Sequence, residues 1–206
     1  LGTGNSGAIA IGTRAGYNSQ ASNNVYVGSS AGRENRVGIE QTYIGKSAGY
    51  YATGSYNTFV GSDAGLGGTT SAPFSSGANN VAIGYQALKA FTTGYQNTAV
   101  GYHAGKATTT GANNTFVGSD AGYQNTEGEQ NVLVGAGAGE AITTGSQNTA
   151  VGRNALENNN ADDNVAVGYY TLKGNTTGAG NVAIGKGAAQ ANTTGARNLA
   201  IGYSAY

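Results

Sequence analysis

The sequence contains no cysteine, methionine or tryptophan, and it has a single proline in 206 residues. Without cysteine there are no disulfides and no thiolate metal sites. Charged residues make up only 10% of the chain, ten acidic and ten basic, so the net charge is zero. A chain without surplus positive charge is poorly suited to phosphate backbones, and we expect no nucleic-acid partner. No apolar run reaches the roughly 18 residues of a membrane span, so we expect no membrane insertion.

Glycine is abundant instead, and twelve of the 37 glycines follow a short aliphatic triplet at nearly constant spacing. The steps between them are 16 or 17 residues, apart from one of 23. So short a period is typical of a solenoid, in which one structural unit stacks on copies of itself. The twelve glycines are Gly12, Gly28, Gly45, Gly61, Gly84, Gly101, Gly118, Gly135, Gly152, Gly168, Gly185 and Gly202.

Each triplet predicts a short strand. Val or Ile always precedes the glycine, and Val, Thr, Ile or Leu stands two residues earlier, which is the alternation of a strand with one buried face. The residue between them is never charged, so we expect that face to be covered too. We place it between chains, where Tyr26, Tyr43, Phe59, Phe116 and Leu133 would form an interchain core. A thin coil buries too little apolar volume to offset the backbone entropy it loses, and this favours an obligate homo-oligomer.

Two further features repeat along the chain. Thr-Thr-Gly, as at 109–111, predicts a second short strand that ends in a turn. Asparagine opens ten of the units, and stacked coils would place these side chains about 4.8 Å apart, close enough for a hydrogen-bonded ladder. The eight ladder residues of the longest series are Asn80, Asn97, Asn114, Asn131, Asn148, Asn164, Asn181 and Asn198.

Units such as Asn80-Val81-Ala82-Ile83-Gly84-Tyr85, joined through Thr-Thr-Gly, resemble the repeats of phage tail-fibre shafts. The Val-Ala-Ile-Gly core also resembles the head repeats of trimeric autotransporter adhesins, although the period of 17 exceeds the usual coil of those heads. The resemblance implies a left-handed parallel β-roll assembled as a homotrimer. We therefore expect an all-β parallel β-solenoid of about twelve coils, residues 1–206 forming one repeat segment of a longer extracellular fibre.

Two surface features are candidate receptor contacts. The step of 23 contains an inserted loop at about 66–77, and insertions in solenoids often lie on the binding face. Its candidate contact residues are Thr69, Thr70, Pro73 and Phe74, with a loop packed between protomers as the alternative. Four tyrosines directly follow repeat glycines and would either stack on sugar rings or pack against a neighbouring chain. They are Tyr85, Tyr102, Tyr169 and Tyr203.

No residue pattern indicates catalysis, a cofactor or a metal site. His103 is the only histidine, and it stands in a column of polar residues that we expect to face solvent. Asp162, Asp163 and the asparagines before them lack the spacing of a calcium loop and read as a solvated turn. We therefore predict a protein that is not an enzyme.

The leading functional hypothesis is a structural segment of a trimeric fibre on a virion, about 58 Å long, that holds a receptor-binding region for host attachment. The first alternative is a bacterial surface adhesin or extracellular filament that binds glycans. The second is an ice-binding solenoid, which requires a flat threonine array in every coil. Thr-Thr pairs vanish between Val151 and Val167, which argues against the last of these.

Overall fold

The computed structural model describes residues 6–68 and 74–206. These residues form an all-β parallel β-solenoid of about eleven turns, with a repeat of about 17 residues and no helix in the described ranges. Each turn contributes one three-residue strand. The strands are β1 Ile9–Ile11, β2 Val25–Val27, β3 Thr42–Ile44, β4 Thr58–Val60, β5 Val81–Ile83, β6 Thr98–Val100, β7 Thr115–Val117, β8 Val132–Val134, β9 Thr149–Val151, β10 Val165–Val167, β11 Val182–Ile184 and β12 Leu199–Ile201.

The strands form a single parallel sheet in chain order from β1 to β12. Every strand pairs with the next so that equivalent repeat positions face each other, as Ala99 faces Phe116 and Val100 faces Val117. The register is kept across the step of 23, where Phe59 pairs with Ala82. Like side chains therefore form continuous files along the rod, which confirms the predicted solenoid.

The structure reverses the predicted roles of the two strand faces: the face of the middle residue points into the coil, and the face of the two flanking residues points outward. The middle residues of β2 to β12, among them Tyr43 and Phe116, are buried inside their own chain and not at an interchain surface. The flanking Val, Ile and Thr residues are half-buried or exposed in all twelve strands. The prediction of an interchain core at the middle positions was therefore wrong. The turns of each coil fold back over the middle residue and enclose it, whereas the flanking residues stay half-buried or exposed among the described residues.

In most coils the core is filled from two positions six residues apart, the middle residue of the strand and a residue in the following turn. A large side chain at one of these positions goes with a small one at the other. Where the middle residue is large, the partner is glycine, and a Cβ at Gly122 would overlap the ring of Phe116. Where the middle residue is Ala82, the partner is the buried Leu88. The large-glycine pairs are Tyr26/Gly32, Tyr43/Gly49, Phe59/Gly65, Phe116/Gly122 and Leu133/Gly139, and the small-large pairs include Ala82/Leu88, Ala150/Leu156 and Ala166/Leu172. In these coils the two positions together keep nearly the same core volume, as close packing requires. In the coil of β6 both positions are small, Ala99 and Gly105, and side chains of the neighbouring coils, Leu88 and Phe116, fill the space beside Gly105.

The repeat glycines are explained by backbone contact between coils. Gly101 has φ 144, and a Cβ there would overlap the carbonyl group of Gly118 in the next coil. The same left-handed backbone recurs at all the other repeat glycines, and the same close approach recurs at all of them except Gly202 in the last coil. Any side chain would push the strands out of hydrogen-bonding distance, so only glycine fits.

The Thr-Thr-Gly segments do not form the predicted second strand. In the described residues these segments are bends. Their backbone N–H groups donate to a shared acceptor in the next coil. The backbone N–H groups of Thr109, Thr110 and Gly111 all donate to the carbonyl oxygen of Thr126, at 2.9, 3.2 and 3.2 Å. Three donors that share one acceptor cannot make the alternating bonds of a ladder, so the segment is a stacked turn.

The coil between Gly152 and Gly168 has no Thr-Thr-Gly, and side chains replace the missing backbone. Asn160 Oδ1 accepts the N–H groups of Thr143, Thr144 and Gly145 at 2.9–3.1 Å. Asp162 Oδ1 accepts the N–H of Ser146 at 2.8 Å. Part of the acidic and amide cluster noted in the sequence therefore closes the stack between two coils.

The inserted segment leaves the stack and returns to it. Leu66, Gly67 and Gly68 keep hydrogen bonds to neighbouring coils, as from Gly68 N–H to the Phe91 carbonyl at 2.7 Å. On the far side, Ser75 pairs with Ala52 in a parallel bridge. Both ends of the insertion are thus held in register, and the coils on either side stack without a gap in the sheet.

Candidate binding surfaces

The asparagine file lies inside the coil wall, next to the strands. The side-chain oxygen of each member accepts the backbone N–H of the next, as from Asn114 N–H to Asn97 Oδ1 at 3.0 Å and from Asn131 N–H to Asn114 Oδ1 at 2.9 Å. The side-chain amide of Asn114 also donates to the Gly128 carbonyl at 2.8 Å. The file is continuous from Asn24 to Asn198. Because the residues from Asn24 to Asn181 are buried, this file serves structure and offers no binding surface.

Gln41 stands where ten of the other coils have asparagine. Its N–H donates to Asn24 Oδ1 at 2.9 Å, and its own Oε1 accepts the N–H of Asn57 at 2.8 Å. Its side-chain amide donates to the Gly54 carbonyl. The longer side chain thus makes the same bonds as asparagine.

The outer face of the sheet is an uncharged apolar strip. It has two files of side chains, the first and third residues of each strand, and the third is Val or Ile in all twelve. The exposed fractions of Ile44, Ile83, Val132 and Val151 lie between 38 and 40%. At about 4.8 Å per strand the strip is about 53 Å long, and its two files stand about 7 Å apart. We call this surface the apolar strand face.

The tyrosines that follow repeat glycines lie at the corner after the strand. Tyr85 and Tyr102 stack with ring centroids 5.6 Å apart and are about half exposed. Tyr169 and Tyr203 do not touch each other, because the Lys186 ammonium lies between their rings, 5.8 and 5.5 Å from the two centroids. The structure thus brings together the first pair and separates the second by a cation.

A groove of about 400 Å³ crosses the next corner of four coils, five to seven residues after the repeat glycines. Leu66, Ala90 and Ala107 give it an apolar floor, and Lys89, Lys106 and Tyr123 contribute longer side chains to its lining. The Lys106 ammonium lies 3.5 Å from the Tyr123 hydroxyl and 5.2 Å from the centre of that ring. The sequence analysis missed this groove, and the available signal was two lysines and a tyrosine at intervals of 17 residues.

His103 connects the tyrosine corner to the groove. Its ring centre is 3.7 Å from that of Tyr102 and 5.7 Å from that of Tyr123, and its Nδ1 lies 3.3 Å from Asp120 Oδ1. Burial, followed by the Lys106 ammonium, lowers the pKa of His103 below its ordinary value of 6.5, and Asp120 only partly opposes this. The imidazole is thus uncharged at neutral pH and packed among rings. Its side chain is only 14% exposed, so the expectation of a solvent-facing residue was wrong.

The predicted contact loop is described only in part. Phe74 stacks on Tyr51 with centroids 5.9 Å apart, and the Arg36 guanidinium lies 5.2 Å from its ring centre. Phe74 is therefore partly covered by its own chain. Thr69, Thr70 and Pro73 lie outside the described residues.

Other kinds of site find no support in the described part of the chain. Within residues 6–68 and 74–206, no group of three His, Asp or Glu side chains is arranged to hold a metal ion. The same residues include no helix long and apolar enough to span a membrane. Comparison of the chain with protein-family models, with curated proteins and with solved structures gave no match in any of the three.

Proposed function

We propose that this chain is a non-enzymatic structural segment of a homotrimeric extracellular fibre, a phage tail-fibre shaft or a similar appendage, that holds a receptor-binding region away from its base. The single observation that carries the proposal is the apolar strand face on a rod of stacked coils. The trimer, the left-handed coil and the virion location rest on the resemblance of the repeats to tail-fibre shafts and adhesin heads.

The apolar strand face supports self-association through its size and composition. A strip about 53 Å long and about 7 Å wide covers about 370 Å², which is comparable to the largest apolar patch that a typical monomer exposes. None of its 24 side chains is charged. A second copy presents Val and Ile at the same spacing along the same length, so copies would interlock along the whole strip.

A rod of this kind would act mechanically. Successive coils are joined by backbone hydrogen bonds at the strand and at the Thr-Thr-Gly bends. Along the asparagine file they are joined by hydrogen bonds from backbone N–H groups to side-chain oxygens. Bending the rod would stretch bonds on one side of every coil, so three rods packed together would be stiff. Stiffness over tens of ångströms suits a part that keeps a binding tip away from a particle.

The test is the mass of the folded protein and of two lysine variants. We expect the wild type to be a trimer by light scattering and native mass spectrometry. Val100→Lys/Val117→Lys puts two charges into the apolar strand face and should give monomers. Thr93→Lys/Thr110→Lys adds the same charges on exposed bends and should stay trimeric. A folded wild-type monomer, or a strand-face variant that still assembles, would refute the proposal.

A glycan-binding adhesin or filament is the second candidate, and the half-exposed, stacked rings of Tyr85 and Tyr102 favour it. An ice-binding role has less support, because only five of the twelve first-position residues of the outer face are threonine and none of the third-position residues is. Unchanged ice growth at micromolar protein in a thermal-hysteresis assay would discard it.

A further inference from the structure

The groove that crosses four coils differs from the rest of the rod because it is concave, apolar and edged by unpaired positive charge. Neither Lys89 nor Lys106 has a carboxylate within 4.0 Å among the described residues. Asp120, an acidic group beside this region, is engaged by His103 and by the Ser119 hydroxyl at 2.9 Å. In a chain of zero net charge, two such lysines leave a local positive potential at the groove.

The aromatic side chains beside the groove form one connected surface. Tyr85, Tyr102, His103 and Tyr123 contact each other in turn, with ring centroids 3.7–5.7 Å apart, and we call them the aromatic band. Tyr85 and Tyr102 lie within 20° of parallel, and their exposed fractions are 44 and 51%. Flat, exposed rings of this kind bind ligands that have an apolar face and a polar edge.

We propose that the groove and the aromatic band bind an acidic saccharide, a pyranose chain that carries carboxylates. The C–H faces of the sugar rings pack on Tyr102, Tyr123 and the apolar floor, and the ammonium groups of Lys89 and Lys106 pair with sugar carboxylates. The neutral imidazole of His103 adds aromatic surface and hydrogen bonding. Sugar rings need both a flat apolar contact and polar edge partners, and this corner of the rod has both.

The spacing of the site matches a chain-like ligand. Lys89, Lys106 and Tyr123 hold equivalent positions in successive coils, so they follow one another at about 4.8 Å along the rod axis. A saccharide that lies parallel to the axis would meet both lysines and then the ring. None of the lining residues belongs to a strand, so the groove shares no side chain with the apolar strand face.

The test is titration calorimetry on the whole chain with tetragalacturonate as the probe at low salt. We expect binding in the millimolar range, at least fivefold tighter than to the neutral tetrasaccharide in which hydroxymethyl groups replace the carboxylates. Lys89→Met/Lys106→Met should weaken binding at least fivefold. The matched control, Lys46→Met/Lys186→Met, removes the same charge elsewhere and should bind like the wild type. Tyr123→Leu should weaken binding at least threefold through loss of the ring face.

Three results would overturn the proposal: no binding to the wild type, equal binding of the charged and neutral tetrasaccharides, or equal loss in the two lysine pairs. Displacement of the probe by an equal concentration of inorganic sulfate would identify a simple anion site and would also overturn it. Circular dichroism and native mass on the same samples check folding and assembly. A monomer that binds the probe would refute the trimer and leave the groove standing, and a trimer that does not bind would do the reverse.

Discussion

At the scale of single residues, the chain depends on side chains that make the same bonds in every coil. Asn114 is an example, because its oxygen accepts one backbone N–H and its amide donates to a glycine carbonyl in the next coil. A buried amide is costly unless both its ends are bonded, and here the stack bonds both. Repetition therefore lets a polar file occupy the interior of a thin rod.

Replacing one ladder residue should destabilise the rod markedly. Asn114→Ala leaves the N–H of Asn131 and the carbonyl of Gly128 without their partner, and we expect a loss of about 2–4 kcal/mol in the free energy of unfolding. Gln124 is an exposed amide of similar size, so Gln124→Ala should change it by less than about 0.5 kcal/mol. Urea denaturation measures both, and equal midpoints for the two variants would contradict the role of the file.

Glu140 should make stability depend on pH. Burial, and then Asp120 and Glu157, raise the pKa of Glu140 above its ordinary value of 4.5. A raised pKa in the folded state means that protonation favours folding. This contribution is complete below the unfolded pKa and is lost as the pH rises through the folded pKa.

Glu140→Gln should therefore raise the Tm at pH 7, where the wild-type carboxylate is charged near two other acids. The gain should disappear below about pH 4, where the wild-type side chain is protonated in both states. Arg153 lines the same surface depression as Glu140 and Asp120. It does not change the direction of the pKa shift, since the pKa of Glu140 is raised in its presence. Thermal melts of both proteins from pH 3.5 to 8 measure the difference, and a variant less stable at pH 7 would contradict it.

At the scale of the element, each coil is held by complementary volumes and by turns in place of a second strand. In most coils the middle residue of the strand and the residue six places later share one space, which is filled either by a large side chain beside glycine or by alanine beside leucine. Leucine accepts a left-handed backbone at this second position, with φ 48 at Leu88 and 52 at Leu156. The gain in packing thus outweighs the strain at a position that otherwise favours glycine.

A double substitution tests this exchange. Phe116→Ala should lose about 3–5 kcal/mol through the cavity it creates. Gly122→Leu alone should also destabilise, since its side chain would overlap the Phe116 ring. Together they rebuild the Ala82/Leu88 arrangement and should recover part of the loss, which a double-mutant cycle of unfolding free energies measures. A double variant no more stable than Phe116→Ala would show that the two positions do not share one space.

At the scale of the whole molecule, twelve strands in one sheet leave one long face that is half-buried or exposed within residues 6–68 and 74–206. The proposed trimer covers that face, and stability would then depend on protein concentration by mass action. The Tm should rise over a hundredfold increase in concentration for the wild type and stay constant for Val100→Lys/Val117→Lys. Differential scanning calorimetry measures this, and a constant wild-type Tm at concentrations that span assembly would argue against the proposal.

The repeat period alone determined the solenoid, the place of every strand and the files of equivalent residues. In-register stacking needs only a fixed spacing, so the spacing of Gly101 and Gly118 already brings β6 beside β7. Alternation along Thr98–Val100 showed that the two faces differ but not which of them is enclosed. That depends on how the turns fold back over the strand, and only the tertiary structure decided it.

Only the tertiary structure also showed what residues that depart from the repeat pattern do. Nothing near Asn160 in the sequence indicates that its side chain replaces a backbone carbonyl for the coil before it. The groove of Lys89, Lys106 and Tyr123 likewise exists because three coils bring residues 17 apart to one corner. A periodic sequence determines which side chains become neighbours along the axis. The path of the chain around the axis determines which of them lie inside, and that path is set by packing volumes and shared hydrogen-bond acceptors.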